Sequence, residues 1–128
     1  MKILVTGAYG QLGSELKEIE MQFQDYHFLF TDVDTLDITS ETAVESYFNK
    51  TKLDFVINCA AYTAVDKAEI EPQIAENVNS VAPKLLGKYS KKVDAKLIQV
   101  STDYVFAGDA NQPYSESDAV NPLSLIHI

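Results

Sequence analysis

One cysteine, two histidines, no tryptophan and no long apolar run: what this 128-residue sequence lacks already excludes several classes of protein. Cys59 is alone, so it forms no internal disulfide, and no group of thiols offers a zinc site. His27 and His127 are too few for a histidine-based metal centre, and no metal is expected. No stretch approaches the roughly 20 apolar residues that cross a bilayer. The N-terminal run Ile3-Leu4-Val5 stops at Thr6-Gly7, short of the about 7–15 apolar residues of a secretory signal. Basic charge is scarce as well: 10 basic against 19 acidic residues leave a net charge of −9. That balance repels a phosphate backbone and argues against a nucleic-acid partner. The chain reads as a soluble, cytoplasmic protein without a membrane partner. A small phosphate ligand stays admissible, because backbone N–H groups and a helix dipole hold an anion locally whatever the net charge.

What is present is enough apolar material, 46% of residues, for one core, in a chain too short for two ordinary domains. Two hydrophobic periods alternate. Ile3-Leu4-Val5, Phe28-Leu29-Phe30, Phe55-Val56-Ile57 and Leu97-Ile98-Gln99-Val100 are short apolar runs that suit strands covered on both faces. Between them, Leu12, Leu16, Ile19 and Phe23 mark one face of a helix from Gln11 to Phe23. Ala43, Val44, Tyr47 and Phe48 mark a second, capped near Thr39 or Ser40. A third runs from about Ile74 to Tyr89, with Pro83 kinking or interrupting it. The alternation predicts an α/β fold, a doubly wound parallel sheet of the Rossmann-like, NAD(P)-binding kind, with strand order 3-2-1-4. From Gly108 to Asp118 the sequence is polar and turn-rich, as in a surface loop.

Four segments carry chemistry. Gly7, Gly10 and Gly13 recur every third residue after a strand and at the opening of a helix. Gly7 allows the tight turn, Gly10 lets the backbone approach a pyrophosphate, and Gly13 lets the helix lie against the sheet. No Lys-Ser or Lys-Thr follows, which excludes a Walker A loop. Asp32, at the end of the second strand and 25 residues after Gly7, is placed to accept hydrogen bonds from the adenosine ribose. It would repel a 2′-phosphate, which favours NAD over NADP. A solvated turn carboxylate is the plainer reading, with Asp34 and Asp37 close by. Asn58-Cys59-Ala60-Ala61-Tyr62-Thr63 follows the third strand, and its small residues leave room in the crevice where such sheets bind ligands; ordinary close packing also selects alanine. Cys59 reads as a small buried hydrophobe rather than a nucleophile, having no basic neighbour in sequence. Ser101-Thr102-Asp103-Tyr104 follows the fourth strand, where hydroxyls either face the same crevice or cap local backbone.

These segments, with Leu36-Asp37-Ile38-Thr39, the continuation Ala64-Val65-Asp66-Lys67-Ala68-Glu69 and the run Ser101 to Phe106, resemble the dTDP-4-dehydrorhamnose reductases, a family of extended short-chain dehydrogenase/reductases. The resemblance covers residues 1 to about 124. It implies hydride transfer from NADPH or NADH to the C4 ketone of dTDP-4-dehydro-L-rhamnose, giving dTDP-L-rhamnose. Carried over by position, Gly7, Tyr9, Gly10, Gln11 and Leu12 hold the pyrophosphate, with Gly13 behind them. Asp32 faces the adenosine ribose, and Asp37 and Ile38 line the adenine pocket. Ala60, Ala61 and Tyr62 lie along the cofactor, and Val65 sits beside the nicotinamide and sugar. Thr102 is the hydroxyl member of the catalytic Ser/Thr-Tyr-Lys set, polarising the substrate oxygen, while Asp103 and Tyr104 flank the sugar. The implied partner is a dTDP-4-dehydro-sugar, and a homodimer is left open for the full-length protein.

The family's general acid is a tyrosine in a Tyr-x-x-x-Lys helix, and no tyrosine here has a lysine four residues on. The sequence is therefore read as 1–124, the N-terminal part of a Rossmann-like dinucleotide-binding domain incomplete at its C-terminus, with 125–128 a non-native tail. Such a fragment would be inactive alone. Two alternatives stay open: a non-catalytic NAD(P)-binding regulatory module, and a nucleotide-sugar epimerase or dehydratase of the same superfamily.

Overall fold

The computed structural model describes residues 1–122 and 124, with Asp103 described by its backbone alone. The expected tail at 125–128, with His127, lies outside the described residues.

Four parallel strands form one sheet: β1 (Lys2–Thr6), β2 (His27–Thr31), β3 (Phe55–Asn58) and β4 (Lys96–Gln99). Each matches its apolar run to within a residue or so, because a strand covered on both faces needs continuous rather than alternating hydrophobicity. The helices are α1 (Gln11–Ile19), α2 (Glu41–Lys50), α3 (Val65–Ile70), α4 (Pro72–Glu76) and α5 (Ala82–Lys92). Ser40 caps α2 as expected, its hydroxyl accepting the Ala43 N–H at 3.4 Å.

The strand order is β2-β1-β3-β4, not the 3-2-1-4 expected. Residues 32–40 contain only turns, so no strand forms outside β2 and the third strand crosses over to pair with β1, Ile3 opposite Phe55. Burial explains the choice. Val56 is fully buried and needs neighbours on both sides, whereas β2 is half-exposed and tolerates an edge.

Leu4 and Val56 point to one face of the sheet, where Val44 and Phe48 of α2 and Leu86 and Tyr89 of α5 close over them. Ile3 and Val5 alternate to the other face. Right-handed crossovers place α1 against that second face. Helix α1 ends at Ile19, earlier than the apolar period suggests. Glu20–Gln22 tighten into a 3₁₀ turn, and Phe23 instead stacks on Tyr26 with ring centroids 6.1 Å apart.

The long helix expected from Ile74 to Tyr89 runs on without a break, and the interruption expected at Pro83 takes the form of a widened turn. Pro83 stands in the first turn of α5, and residues Asn77–Val81 immediately before it form a π turn. The Ala82 N–H reaches back five residues to the Asn77 carbonyl.

Two buried polar side chains, Thr6 and Asn58, and the exposed Gln99 tie the carboxyl ends of three strands together. Thr6 Oγ1 donates to Asn58 Oδ1 at 2.5 Å, and Asn58 Nδ2 donates to Gln99 Oε1 at 2.7 Å. The Ala60 N–H also donates to Asn58 Oδ1, at 3.2 Å. Asn58 therefore fixes where the chain leaves β3 toward the crevice. Among the described residues no helix is long and apolar enough to cross a membrane.

Candidate functional site

The crevice at the carboxyl ends of β1, β2 and β3 is a cavity of about 330 Å³. Eight residues singled out from sequence line it together: Gly7, Tyr9, Gly10, Asp32, Asp37, Ile38, Ala60 and Ala61.

Its floor is the glycine loop. Gly7 adopts φ +68°, and a Cβ there would lie 2.6 Å from the Ala60 nitrogen, so both conformation and space require glycine. Gly13 seats α1 on the loop: a Cβ would strike the Gly7 carbonyl oxygen and come within 2.7 Å of Ala8 Cα. Gly10 precedes α1 without a side-chain cap, and no acidic residue occupies the first turn. The helix start thus offers its unpaired N–H groups and dipole to an anion. Gln11 and Leu12 belong to that first turn. A loop packed tightly against β3 and α1 through Gly7 and Gly13, with a bare helix N-terminus at its end, fits a nicotinamide dinucleotide.

The adenosine end is set by the turn after β2. The Ala8 N–H donates to the Thr31 carbonyl at 3.1 Å, and the Tyr9 N–H donates to Asp32 Oδ2 at 2.8 Å. Asp32 Oδ1 accepts the Val33 N–H at 2.9 Å. Across the turn, the Tyr9 phenol donates to Asp34 Oδ2 at 3.0 Å, and this bond to a carboxylate pushes the phenol pKa up. Asp37 Oδ1 accepts both the N–H and the hydroxyl of Thr39, at 2.9 and 2.6 Å.

Opposite, Ala60 and Ala61 form a small-residue wall. Cys59 beside them is half-buried, and burial pushes its thiol pKa up, away from the thiolate a nucleophile needs. Tyr62 pairs with Asn79 through its backbone and donates its phenol to Glu71 Oε2 at 2.9 Å. Burial first, then Glu71, pushes that phenol pKa up. Val65 opens α3 and is half-exposed. Thr102 and Tyr104 stand after β4, where the Thr102 hydroxyl accepts the Tyr104 N–H at 3.2 Å. Neither they nor Tyr62 and Val65 line the cavity. The Asp103 side chain lies outside what is described. Among the described residues no group of three or more His, Cys, Asp or Glu is placed to hold a metal.

Residues 1–126 match the family described as the RmlD substrate binding domain. The chain belongs to the RmlD substrate binding domain family. It is 43% identical over 125 residues to a dTDP-4-dehydrorhamnose reductase of Mycolicibacterium smegmatis, covering 97% of this chain and 37% of that protein. It superposes on a dTDP-4-dehydrorhamnose reductase of Clostridium acetobutylicum with a TM-score of 0.94 and 46% identity, over 99% of this chain and 45% of the other. A dTDP-4-dehydrorhamnose reductase of Bacillus anthracis, solved in complex with NADP, gives a TM-score of 0.92 and 36% identity, over 98% and 45% of the two chains. The chain spans about 40% of the length of the curated RmlD-type relatives it matches.

Sequence reasoning did not find Val33 and Val78, and gave no role to Thr6, Leu36 and Thr39, although they stand in the segments it singled out; all five also line the cavity. Val33 and Leu36 lie in the turn that binds the glycine loop. Val78 enters only because the π turn rotates it there, and the signal available for that was the proline five residues on.

Proposed function

We propose that this chain is the cofactor-holding part of an NAD(P)H-dependent nucleotide-sugar ketoreductase that converts dTDP-4-dehydro-L-rhamnose into dTDP-L-rhamnose. The observation that carries this reading is the glycine loop, closed to any Cβ at Gly7 and Gly13, opening onto a cavity that Asp32 also lines. The names of the relatives supply the substrate, and the B. anthracis complex supplies a dinucleotide held by a protein of this family.

A bound nicotinamide dinucleotide supplies hydride to the C4 carbon of the sugar. The chain's own residues do the rest. The main-chain N–H groups of Gln11 and Leu12 at the start of α1 receive the diphosphate, with Gly7, Tyr9 and Gly10 shaping the loop beside it and Gly13 seating the helix behind them. Asp32 accepts the ribose hydroxyls, while Asp37 and Ile38 border the adenine. Ala60, Ala61 and Tyr62 run along the dinucleotide, and Val65, Asp103 and Tyr104 border the sugar. The Thr102 hydroxyl polarises the C4 oxygen, so that negative charge developing there meets a hydrogen-bond donor. The proton that completes the alcohol comes from a Tyr-x-x-x-Lys pair absent from these 128 residues. The chain alone therefore binds the dinucleotide without turnover.

Titrating the 128-residue chain with NADH and NADPH, following the fluorescence of the reduced nicotinamide, tests the reading. Saturable binding is expected, and Gly10→Val abolishes it. No saturable signal from a chain whose circular dichroism shows the α/β fold overturns the proposal.

A further inference from the structure

Residues Tyr62 to Glu71 form a strap that leaves the cavity wall and is tied back on itself. It begins where Ala60 and Ala61 line the cavity, and the Asn79 amide holds the Tyr62 backbone there, next to the lining residue Val78. Helix α3 fills most of the strap, with the exposed Val65 as its first residue. Glu71 closes it. The Glu71 N–H donates to the Lys67 carbonyl at 2.7 Å and ends α3, while the Glu71 carbonyl accepts the Ile74 and Ala75 N–H groups at 3.0 and 3.3 Å and opens α4. The Glu71 carboxylate does not cap α4. It accepts the Tyr62 phenol instead, at 2.9 Å, joining the last residue of the strap to the first.

Packing alone does not fix how this strap lies. The buried residues of α3 and α4 are Ala68 and Ala75, and a methyl group makes few of the contacts that lock a larger side chain. Ile70 and Ile74, which could have made them, are exposed. The set of the strap therefore depends on its polar ties, and Tyr62 carries one at each end: its backbone on Asn79 and its phenol on Glu71. The phenol bond is open to solvent and adds little to folding stability. What it changes is the freedom of the Tyr62 ring.

We infer that Glu71 is a positioning residue for the nicotinamide half of the dinucleotide: by holding the Tyr62 phenol it keeps Tyr62 and Val65 set beside that half. The inference rests on the dinucleotide reading above. The adenosine diphosphate is received by the glycine loop and the turn after β2, whereas Glu71 acts on the segment that continues the opposite wall. A ring that is already fixed loses no rotamer freedom when the ligand arrives, and a freed ring must be ordered at the expense of affinity. The raised phenol pKa keeps Tyr62 the donor of the bond at neutral pH.

Calorimetric titration of the 128-residue chain with NADH and with ADP, which lacks the nicotinamide riboside, tests this in the wild type, Glu71→Ala, Glu71→Gln and Tyr62→Phe. Wild type binds NADH more tightly than ADP. Glu71→Ala and Tyr62→Phe each weaken NADH by about three- to tenfold, the cost of ordering one side chain, and leave ADP and the thermal melt unchanged. Glu71→Gln keeps an acceptor and drops the charge, so it restores NADH affinity. Equal weakening of NADH and ADP makes Glu71 a structural residue and overturns the inference. So does an NADH affinity that neither Glu71→Ala nor Tyr62→Phe changes, and so does a Glu71→Gln variant as weak as Glu71→Ala, which assigns the effect to charge. Each of these leaves the dinucleotide reading standing. Binding of neither ligand by the folded wild type removes that reading, and this inference with it.

Discussion

Asn79 and Tyr62 grip each other through both halves of one amide: the Tyr62 N–H donates to Asn79 Oδ1 at 2.8 Å, and Asn79 Nδ2 donates back to the Tyr62 carbonyl at 2.9 Å. The two are 17 residues apart, and the pairing exists because the π turn at Asn77–Val81 brings Asn79 over the loop that follows β3. The widened turn thus serves the crevice: Asn79 holds the Ala60–Tyr62 wall in place, while Val78 beside it lines the cavity.

Asn79→Ala removes both bonds and leaves Tyr62 backbone groups in a half-buried place. The expected cost is about 1–3 kcal/mol of folding stability. In a domain of this size that lowers Tm by about 3–8 °C, measured by thermal melts followed by circular dichroism. Dinucleotide affinity falls with it, since the wall moves. Asn79→Asp keeps the acceptor and loses the donor, so it falls between the two. Equal melts for all three proteins would show that the reciprocal pair does not hold the loop.

The sequence made some of this visible and hid the rest for a physical reason. The four strands stand out because each is a local run of apolar residues, and the glycine cradle stands out because Gly7, Gly10 and Gly13 are neighbours in the chain. The strand order does not: apolar runs report that a strand is buried, not beside which other strand. Only the absence of a strand in residues 32–40 and the burial of Val56 reveal that β3 sits next to β1. The bonds of Tyr9 to Asp32 and Asp34, and of Asn79 to Tyr62, join residues 17 to 25 positions apart. No periodicity encodes them.

Asn58 is fully buried, and three donors and acceptors depend on it: the Thr6 hydroxyl, the Ala60 N–H and Gln99 Oε1. Asn58→Leu matches its size and leaves all three without that partner. A loss of about 1–3 kcal/mol is expected, more than for an exposed asparagine, because the buried Thr6 hydroxyl bears its desolvation cost, while the exposed Gln99 amide turns to water. Urea unfolding of the variant and the wild type measures it. An unchanged midpoint would mean that the network is replaceable by packing.

Gly13→Ala and Gly108→Ala separate crowding from backbone strain. At Gly13 the new methyl meets backbone atoms of Gly7 and Ala8 that cannot yield, so α1 must lift from the loop. Both stability and dinucleotide binding should fall. Gly108 has φ +77° with nothing within 4 Å of a new Cβ, so only the left-handed conformation is penalised, by about 1 kcal/mol, and binding is retained. Comparable binding losses in the two variants would count against the cradle.

Two surface bonds predict opposite pH limbs. Hydrogen bonding to Lys88, and then its charge, lowers the Glu41 pKa below that of the unfolded chain. That contribution is present above the unfolded carboxylate pKa and is lost as pH falls through the folded one. The Tyr9 phenol is raised by its bond to Asp34, so its contribution is present below the unfolded tyrosine pKa and lost as pH climbs through the folded value. Glu41→Gln should flatten the acid limb of a Tm-against-pH curve, and Tyr9→Phe the alkaline limb. A variant whose curve merely shifts down in parallel would show that its bond does not titrate with folding.

β4 is paired along one side only among the described residues, by β3, and its exposed face carries Ile98, 49% exposed, with Val100 just beyond, 41% exposed. An open edge with free backbone donors and acceptors beside exposed β-branched side chains is a template for pairing with another chain. β2, the other edge, is better guarded, since its Phe28 and Phe30 rings stack on each other with centroids 5.8 Å apart and Tyr26 packs edge-on against Phe28. The 128-residue chain should therefore self-associate with rising concentration, seen by light scattering from micromolar upward. Ile98→Lys puts a charge on the sticky face without touching the core, so it should suppress the association and leave folding stability within about 0.5 kcal/mol of the wild type's. A wild-type chain that stays monomeric and melts in one sharp transition across that range would show that the edge is protected by something other than its neighbours in the sheet.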